Sequence, residues 1–307
     1  MLIAGTFTNA GALDLAVSDF GVNAVSVLLN LGANTLSLAS SLNPAAPSQT
    51  VTLTATVHPL FGGLPTPTGS VIFADGTVTL GTAPLNSSGS GGLNVSFSTV
   101  GSHNLLAVFG GDANFVGGSS STLSETVNRA ATATALDSNS NPSVFGAGVT
   151  LTATITGLSG SPSGSVTFLD GGISIGTGLL NGSGVATLTT SRLTVGAHSI
   201  IAFYGGDPSH SSSLSSTLVQ AVAKAGLTIA TASTKNPSIY GDAVTFAFTF
   251  AGVADTTPTG TATITEGTTT LATVTLDAAG KTTFTTSSLK AGTHSITVVY
   301  NGDTNYF

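Results

Sequence analysis

The chain has no cysteine, no tryptophan and very little charge. Without cysteine, no disulfide holds it together, although export is not thereby excluded. Lys and Arg number 6 against 13 Asp and Glu, for a net charge of −7 and a charged fraction of 6%, far below the ~25% usual for globular proteins. The surface must therefore be covered by Ser, Thr, Gly and Asn. Six cations form no basic stripe, so charge cannot steer the protein onto nucleic acid. Long apolar runs are also missing. No stretch approaches the ~20 residues of a membrane-spanning helix, and the mean hydropathy of +0.43 reflects Ala and Val alternating with Thr and Ser. Met1-Leu-Ile-Ala-Gly-Thr6 has no basic region and no extended apolar core. It does not read as a signal peptide, and any export signal is expected elsewhere.

One stretch is present three times: Gly101-Ser-His-Asn-Leu-Leu-Ala-Val-Phe109-Gly-Gly-Asp112, Gly196-Ala-His-Ser-Ile-Ile-Ala-Phe-Tyr204-Gly-Gly-Asp207 and Gly292-Thr-His-Ser-Ile-Thr-Val-Val-Tyr300-Asn-Gly-Asp303. His, an aliphatic, a small apolar residue and an aromatic recur at alternate positions, which is one face of a β-strand. A Gly-Asp turn follows. The copies lie about 95 residues apart, so 307 residues accommodate three such domains.

Other signals keep the same period. Asn-Pro follows the first expected strand at Asn43-Pro44, Asn141-Pro142 and Asn236-Pro237. Next come apolar residues at every second position: Val51 to Val57, Val149 to Ile155, Val244 to Phe250. This is the pattern of a half-buried antiparallel strand. Pro-x-Gly recurs at Pro67, Pro162 and Pro258, an acidic-Gly turn at Asp75, Asp170 and Glu266, and a glycine turn at Gly89, Gly184 and Gly280. Gly91-Gly-Leu-Asn-Val-Ser-Phe97 departs from Ala186-Thr-Leu-Thr-Thr190, so a shifted or bulged strand is expected there. Seven short strands per repeat and no helical periodicity imply an all-β chain of immunoglobulin-like β-sandwiches.

Together, Asn-Pro, Pro-x-Gly-x-Val-x-Phe, Asp-Gly, Gly-x-His-x-Ile and Tyr-x-Gly-Asp resemble the bacterial Ig-like domain of group 3 over residues 34–307. The resemblance implies extracellular tandem modules without catalytic residues. The expected domains are 34–128, 129–223 and 224–307. The last stops at Phe307 without a counterpart of Ser121–Asn128 or Ser216–Val222. An open sheet edge and a less stable or self-associating third repeat are expected, as in a fragment of a longer protein.

Residues 1–33 differ. Gly5-Thr-Phe-Thr-Asn-Ala-Gly-Ala-Leu-Asp-Leu-Ala-Val17 followed by Asn23-Ala-Val-Ser-Val-Leu-Leu-Asn30 resembles one FG-GAP (VCBS-type) repeat, implying a fragment of a β-propeller blade. That family's loop binds calcium through alternating Asp and Asn. Here the matching positions are Thr6, Thr8, Ala10, Gly11 and Asp14. Calcium needs 6–8 oxygens, several of them carboxylate, so Asp14 is read only as a remnant of the loop and no metal site is expected.

No constellation reads as an active site. His103, His198 and His294 occur once per domain and cannot share a metal; each is expected to tie a nearby backbone carbonyl. Asp112, Asp207 and Asp303 read as turn residues bonding their own backbone. Gly182-Ser-Gly184 reads as a hairpin turn, and Gly89-Ser-Gly-Gly92 lacks the lysine and helix of a phosphate loop. Residues 1–223 contain no lysine. A Lys–Asn cross-link of the kind found in some surface Ig-like domains is therefore excluded from repeats 1 and 2, while Lys235, Lys281 and Lys290 leave it open in repeat 3. The sequons at Asn86, Asn94 and Asn181 read as chance in a Ser-rich chain.

The expected function is non-catalytic: a rod of Ig-like modules serving as spacer in a secreted or cell-surface bacterial protein, with no cofactor. The expected partner is the rest of a larger polypeptide. The alternative is adhesion to a surface glycan or protein through sandwich-end loops. The chain has four Tyr and no Trp, few of the aromatics that binding surfaces favour.

Overall fold

The structure is a computed structural model that describes residues 2–5, 14–19, 21–22, 24–28, 32–61, 63–253 and 256–307. All of the strands described are antiparallel or short parallel pairs, and no helix is long and apolar enough to cross a membrane. Two compact units are distinguished. The first holds residues 1–132 with 157–162 and 206–211; the second holds 133–156, 163–205 and 212–307.

The antiparallel sheet β1-β2-β3 is made by β1 (Leu2–Gly5), β2 (Asp14–Asp19) and β3 (Ala24–Leu28). Thr6, Thr8, Ala10, Gly11 and the side chain of Asp14 lie outside the described residues, and with them the calcium-loop reading.

Repeat 1 comprises β4 (Asn34–Ser40), β5 (Thr50–Pro59), β6 (Ser70–Asp75), β7 (Val78–Pro84), β8 (Ser90–Ser96), β9 (Gly101–Phe109), β10 (Gly118–Ser119) and β11 (Leu123–Val127). One sheet is β4-β5-β8. The other is β10-β9-β6-β7, with β11 also on β9. Repeat 2 follows the same plan with β12 (Thr132–Ser138), β13 (Ser143–Val144), β14 (Val149–Gly157), β15 (Ser165–Asp170), β16 (Ile173–Leu179), β17 (Val185–Thr190), β18 (Gly196–Tyr204), β19 (Ser213–Leu214) and β20 (Leu218–Ala223). Repeat 3 has β21 (Thr228–Ser233), β22 (Val244–Ala251), β23 (Thr261–Glu266), β24 (Thr269–Thr275), β25 (Lys281–Thr286) and β26 (Ile296–Tyr300), in the sheets β21-β22-β25 and β24-β23-β26.

Each sandwich closes over the residues that alternate in sequence. In β5, Val51, Leu53, Ala55 and Val57 are buried and the intervening Thr residues face outward. Opposite them lie Val71, Phe73, Leu105, Ala107 and Phe109 of the second sheet. In the second unit the cores of repeats 2 and 3 belong to one apolar cluster, and Phe145 meets Tyr306 edge-on at 5.8 Å between ring centroids.

The expected irregularity at Gly91–Phe97 is absent. Leu93 pairs with Leu53 in β5 as Leu188 pairs with Leu151 in β14, without a shift of register. Gly91 stands where Ala186 does, and a Cβ there would meet the Pro84 carbonyl at 3.0 Å. The side chains changed while the backbone path was kept. The bulge lies instead between the acidic strand and its hairpin partner, at Phe73/Ala74, Phe168/Leu169 and Ile264/Thr265. It leaves Leu80, Ile175 and Leu271 as the extra residues, and all three pack against the core.

The glycine turn is fixed by a close approach. Gly184 has φ +73°, and a Cβ would lie 2.5 Å from the Ile155 carbonyl, while its own carbonyl accepts the Ile155 amide at 2.8 Å. Gly184→Ala is expected to destabilise repeat 2 by about 2 kcal/mol or more in urea unfolding. Gly182→Ala, two residues earlier with open space around its Cβ position, should fall within about 0.5 kcal/mol of the parent.

Candidate functional site

Sequence and topology bring two pairs of motifs together, the first in every repeat and the second in repeats 1 and 3. The first pair joins the histidine to the acidic-Gly turn. β6 ends at Asp75, directly opposite Leu105 in β9, which places the carboxylate diagonally across from His103. His103 Nδ1 donates to Asp75 Oδ2 at 2.6 Å, and His198 Nδ1 donates to Asp170 Oδ2 at 2.6 Å. His294 makes the same bond to Glu266. The second ring nitrogen, Nε2, donates to a backbone carbonyl four residues earlier: Thr99 at 3.1 Å, Thr194 at 2.8 Å and Lys290 at 2.7 Å. The carbonyl tie expected from the sequence is present. The carboxylate partner was not anticipated, although acid and histidine are 28 residues apart in all three copies.

With both ring nitrogens donating, the ring is an imidazolium. Burial pulls the pKa of His103 down, but the bonds to Asp75 and to the Thr99 carbonyl, with the charges of Asp75 and Glu125, leave it above 6.5. For His198, burial is likewise outweighed by the Thr194 carbonyl and Asp170. The Lys290 carbonyl and then Glu266 raise that of His294. No lone pair faces a substrate, so none of the three can act as a general base in this arrangement. Phe97 packs on His103 at 4.5 Å between centroids, which favours the charged ring.

The second pair joins the Gly-Asp turn to Pro-x-Gly. Asp112 Oδ1 accepts the amides of Asn114 and Phe115, both at 2.8 Å, while Oδ2 accepts the Thr68 amide at 2.8 Å and the Thr68 hydroxyl at 3.0 Å. Asp303 repeats this with Asn305, Tyr306 and Thr259. Asp207 holds the amides of Ser209 and His210 and also the His210 ring, at 2.9 Å from Oδ1. The carboxylate thus pins the aromatic or histidine that follows it (Phe115, His210 or Tyr306), which is buried in each repeat. Burial raises the pKa of Asp112, and the amides of Thr68 and Asn114 bring it net below 3.8; the same balance takes Asp303 to about 2.

A third tie was missed entirely. The Asn-Pro bonds are cis in all three repeats, and the asparagine reaches across to the last strand. Asn43 donates to the Ser124 carbonyl at 2.7 Å and accepts the Thr126 amide at 3.0 Å. Asn141 does the same with Val219 and Ala221.

The other candidates resolve into structure. Asn86 and Asn181 turn their side-chain oxygens onto the amides of their own hairpins. Lys235 pairs with Asp242 at 3.1 Å on the surface. Among the described residues no group of three or more His, Asp or Glu could hold a metal.

Inside the last strand lies one unresolved conflict. Gln220 is fully buried and makes four bonds: to the Ser140 and Ala221 carbonyls, to Ser143 Oγ, and from Ser138 Oγ at 2.7 Å. Glu125 occupies the same place in repeat 1, fully buried, opposite His103, and neither carboxylate oxygen has a hydrogen-bond partner among the described residues. Glu125→Gln is therefore expected to stabilise repeat 1 by about 1 kcal/mol in urea unfolding. A loss of stability would mean that attraction to His103 outweighs the buried charge.

The pH dependence follows from the two ties. The histidines, with raised folded pKa, contribute stability that is complete below 6.5 and is lost as pH rises through the folded value. Asp112 and Asp303, with lowered folded pKa, contribute stability that is present above 3.8 and is lost as pH falls through the folded value. Denaturation midpoints should therefore be highest at about pH 4 to 6.5. His198→Gln should flatten the alkaline limb of the repeat 2 transition.

Among solved structures, the chain is similar to Clostridium thermocellum CbhA fibronectin(III)-like modules, at 18% identity over 61% of this chain and 93% of that one, TM-score 0.26. It is also similar to the mouse nectin-like molecule 4 full ectodomain, Ig1–Ig3, at 13% identity over 69% and 74%, TM-score 0.27. No curated protein matches it. The family model of the bacterial Ig-like domain (group 3) matches residues 38–128, 136–223 and 230–307. Three tandem copies account for most of its length, and the chain belongs to the bacterial Ig-like domain family, group 3.

Proposed function

We propose that the chain is a non-catalytic spacer in a secreted or cell-surface bacterial protein, a succession of Ig-like modules at 34–128, 129–223 and 224–307. The observation that carries this reading is the lack of slack between modules. Val127 pairs into repeat 1 with Ala45, and Ala130 already pairs with His210 of repeat 2. Ala223 pairs with Val144, and Ala225, two residues on, pairs with Tyr306. Lys224 between them donates from Nζ to the Asp303 carbonyl. Linkers whose backbone is paired on both sides resist bending far more than Gly/Ser tethers do. The occupied histidine nitrogens support a role without catalysis. The antiparallel order β1-β2-β3 supports reading 1–33 as part of an FG-GAP-type propeller repeat.

Small-angle scattering of residues 34–307 tests the proposal. An elongated particle whose dimensions do not change with salt is expected, together with no signal on a glycan array. A compact particle, or glycan binding abolished by mutations in the sandwich-end loops, would replace the spacer with the adhesive alternative.

A further inference from the structure

Repeats 1 and 2 differ at the centre of the last strand. Glu125 of β11 faces His103 across the strand pair, as Gln220 of β20 faces His198, and both side chains are fully buried. Gln220 is neutral, and the Ser138 and Ser143 hydroxyls and the Ser140 carbonyl hold its amide. Repeat 1 lacks these fittings. Ser40, the counterpart of Ser138, turns its hydroxyl to the Leu42 carbonyl at 3.2 Å, and Ala45 stands in place of Ser143. Neither Glu125 oxygen has a hydrogen-bond partner among the described residues.

What remains to offset the Glu125 carboxylate is the charge of His103. That imidazolium already serves Asp75, whose Oδ2 accepts its Nδ1 proton at 2.6 Å. Repeat 1 therefore sets one cation between two carboxylates, whereas repeat 2 sets His198 against Asp170. Among the described residues the other segments beside His103, namely β4, β10 and residues 97–99, carry no titratable side chain. Against the pull of burial, the bonds to Asp75 and Thr99 and then the charges of Asp75 and Glu125 hold the His103 pKa above 6.5. Glu125 thus helps to keep His103 charged, and by linkage a charged His103 helps to keep Glu125 in place.

We propose that Asp75, His103 and Glu125 form a pH-operated latch on β11, closed while His103 is charged and released when it loses its proton. Deprotonation leaves two carboxylates with no cation between them, one of them buried without a hydrogen bond, which is a costly state. Glu125 reaches water only if β11 leaves β9. The latch is fully closed below 6.5 and opens as pH rises through the raised folded value of His103. The same strand carries the connection to the next module. Asn43 clamps Ser124 and Thr126, Ala45 bonds Thr126 and Asn128, and Ala130 pairs with His210. Release of β11 therefore slackens the end of repeat 1. The latch goes beyond the spacer reading and holds whether or not the chain is a spacer.

The test is amide hydrogen exchange on residues 1–307 at about pH 6 and about pH 9, with each rate divided by the intrinsic rate at its own pH. The amides of Glu125 and Val127 face β9, since those of Thr126 and Asn128 bond Asn43 and Ala45. Between the two pH values their protection should fall roughly tenfold further than that of Gln220 and Val222 in β20. Glu125→Gln, which gives repeat 1 the residue that repeat 2 already holds, should remove the difference. His103→Gln should leave β11 open at both pH values, and Glu125→Gln added to it should close the strand again. Equal loss of protection in β11 and β20, or a difference that survives Glu125→Gln, would overturn the proposal. So would a His103→Gln chain whose β11 stays protected.

Discussion

The amides and carbonyls of a strand need partners, and the histidine strands of repeats 1 and 2 find theirs in two instalments. The second half of each pairs with the acidic strand, and the first half pairs with the last strand of the sandwich. Where both partners are present, the strand runs from the opening glycine to the aromatic. Where the last strand is missing among the described residues, Gly292–Ser295 falls out of the ladder while Ile296–Tyr300 stays in it. Length of strand here follows from available partners, because the local sequence is nearly the same in all three copies.

The scarcity of charge makes sense beside the ties that charge forms. Six of the 13 acidic residues sit in two recurring arrangements: Asp75, Asp170 and Glu266 on the histidines, Asp112, Asp207 and Asp303 on the turns after them. The carboxylate–histidine ties, and those of Asp112 to Thr68 and Asp303 to Thr259, cross between segments distant in sequence, so they fix the sandwich more than an exposed ion pair would. The same pairing occupies both histidine nitrogens. A side chain that looks like a catalytic candidate in the sequence is thereby committed to the fold.

The strands were legible because alternation of apolar and hydroxyl residues dictates which face is buried, as in Val51 to Val57. The turns were legible because Gly, Asp and Asn occupy positions where other residues strain. Pairings between motifs were not. Asp75 and His103, or Asp112 and Thr68, are joined by topology, and one sequence shows only a constant spacing of 28 or 44 residues. Gly91-Gly92 misled in the other direction: glycine suggested a backbone irregularity, but it answers a close carbonyl while the register stays regular. Nor does the sequence reveal that Asn43 and Asn141 reach across to the last strand, since an Asn-Pro turn is explained locally without that partner.

The most direct test of the dependence on strand partners is amide hydrogen exchange on residues 1–307. The amides of His103 and His198 face the last strand, since those of their neighbours turn to the acidic strand; they should be strongly protected, whereas that of His294 should exchange close to the unstructured rate. Val299, which faces Thr263 in β23, should remain protected. Equal protection of His198 and His294 would contradict the account, because the strand would then hold its first half without a partner.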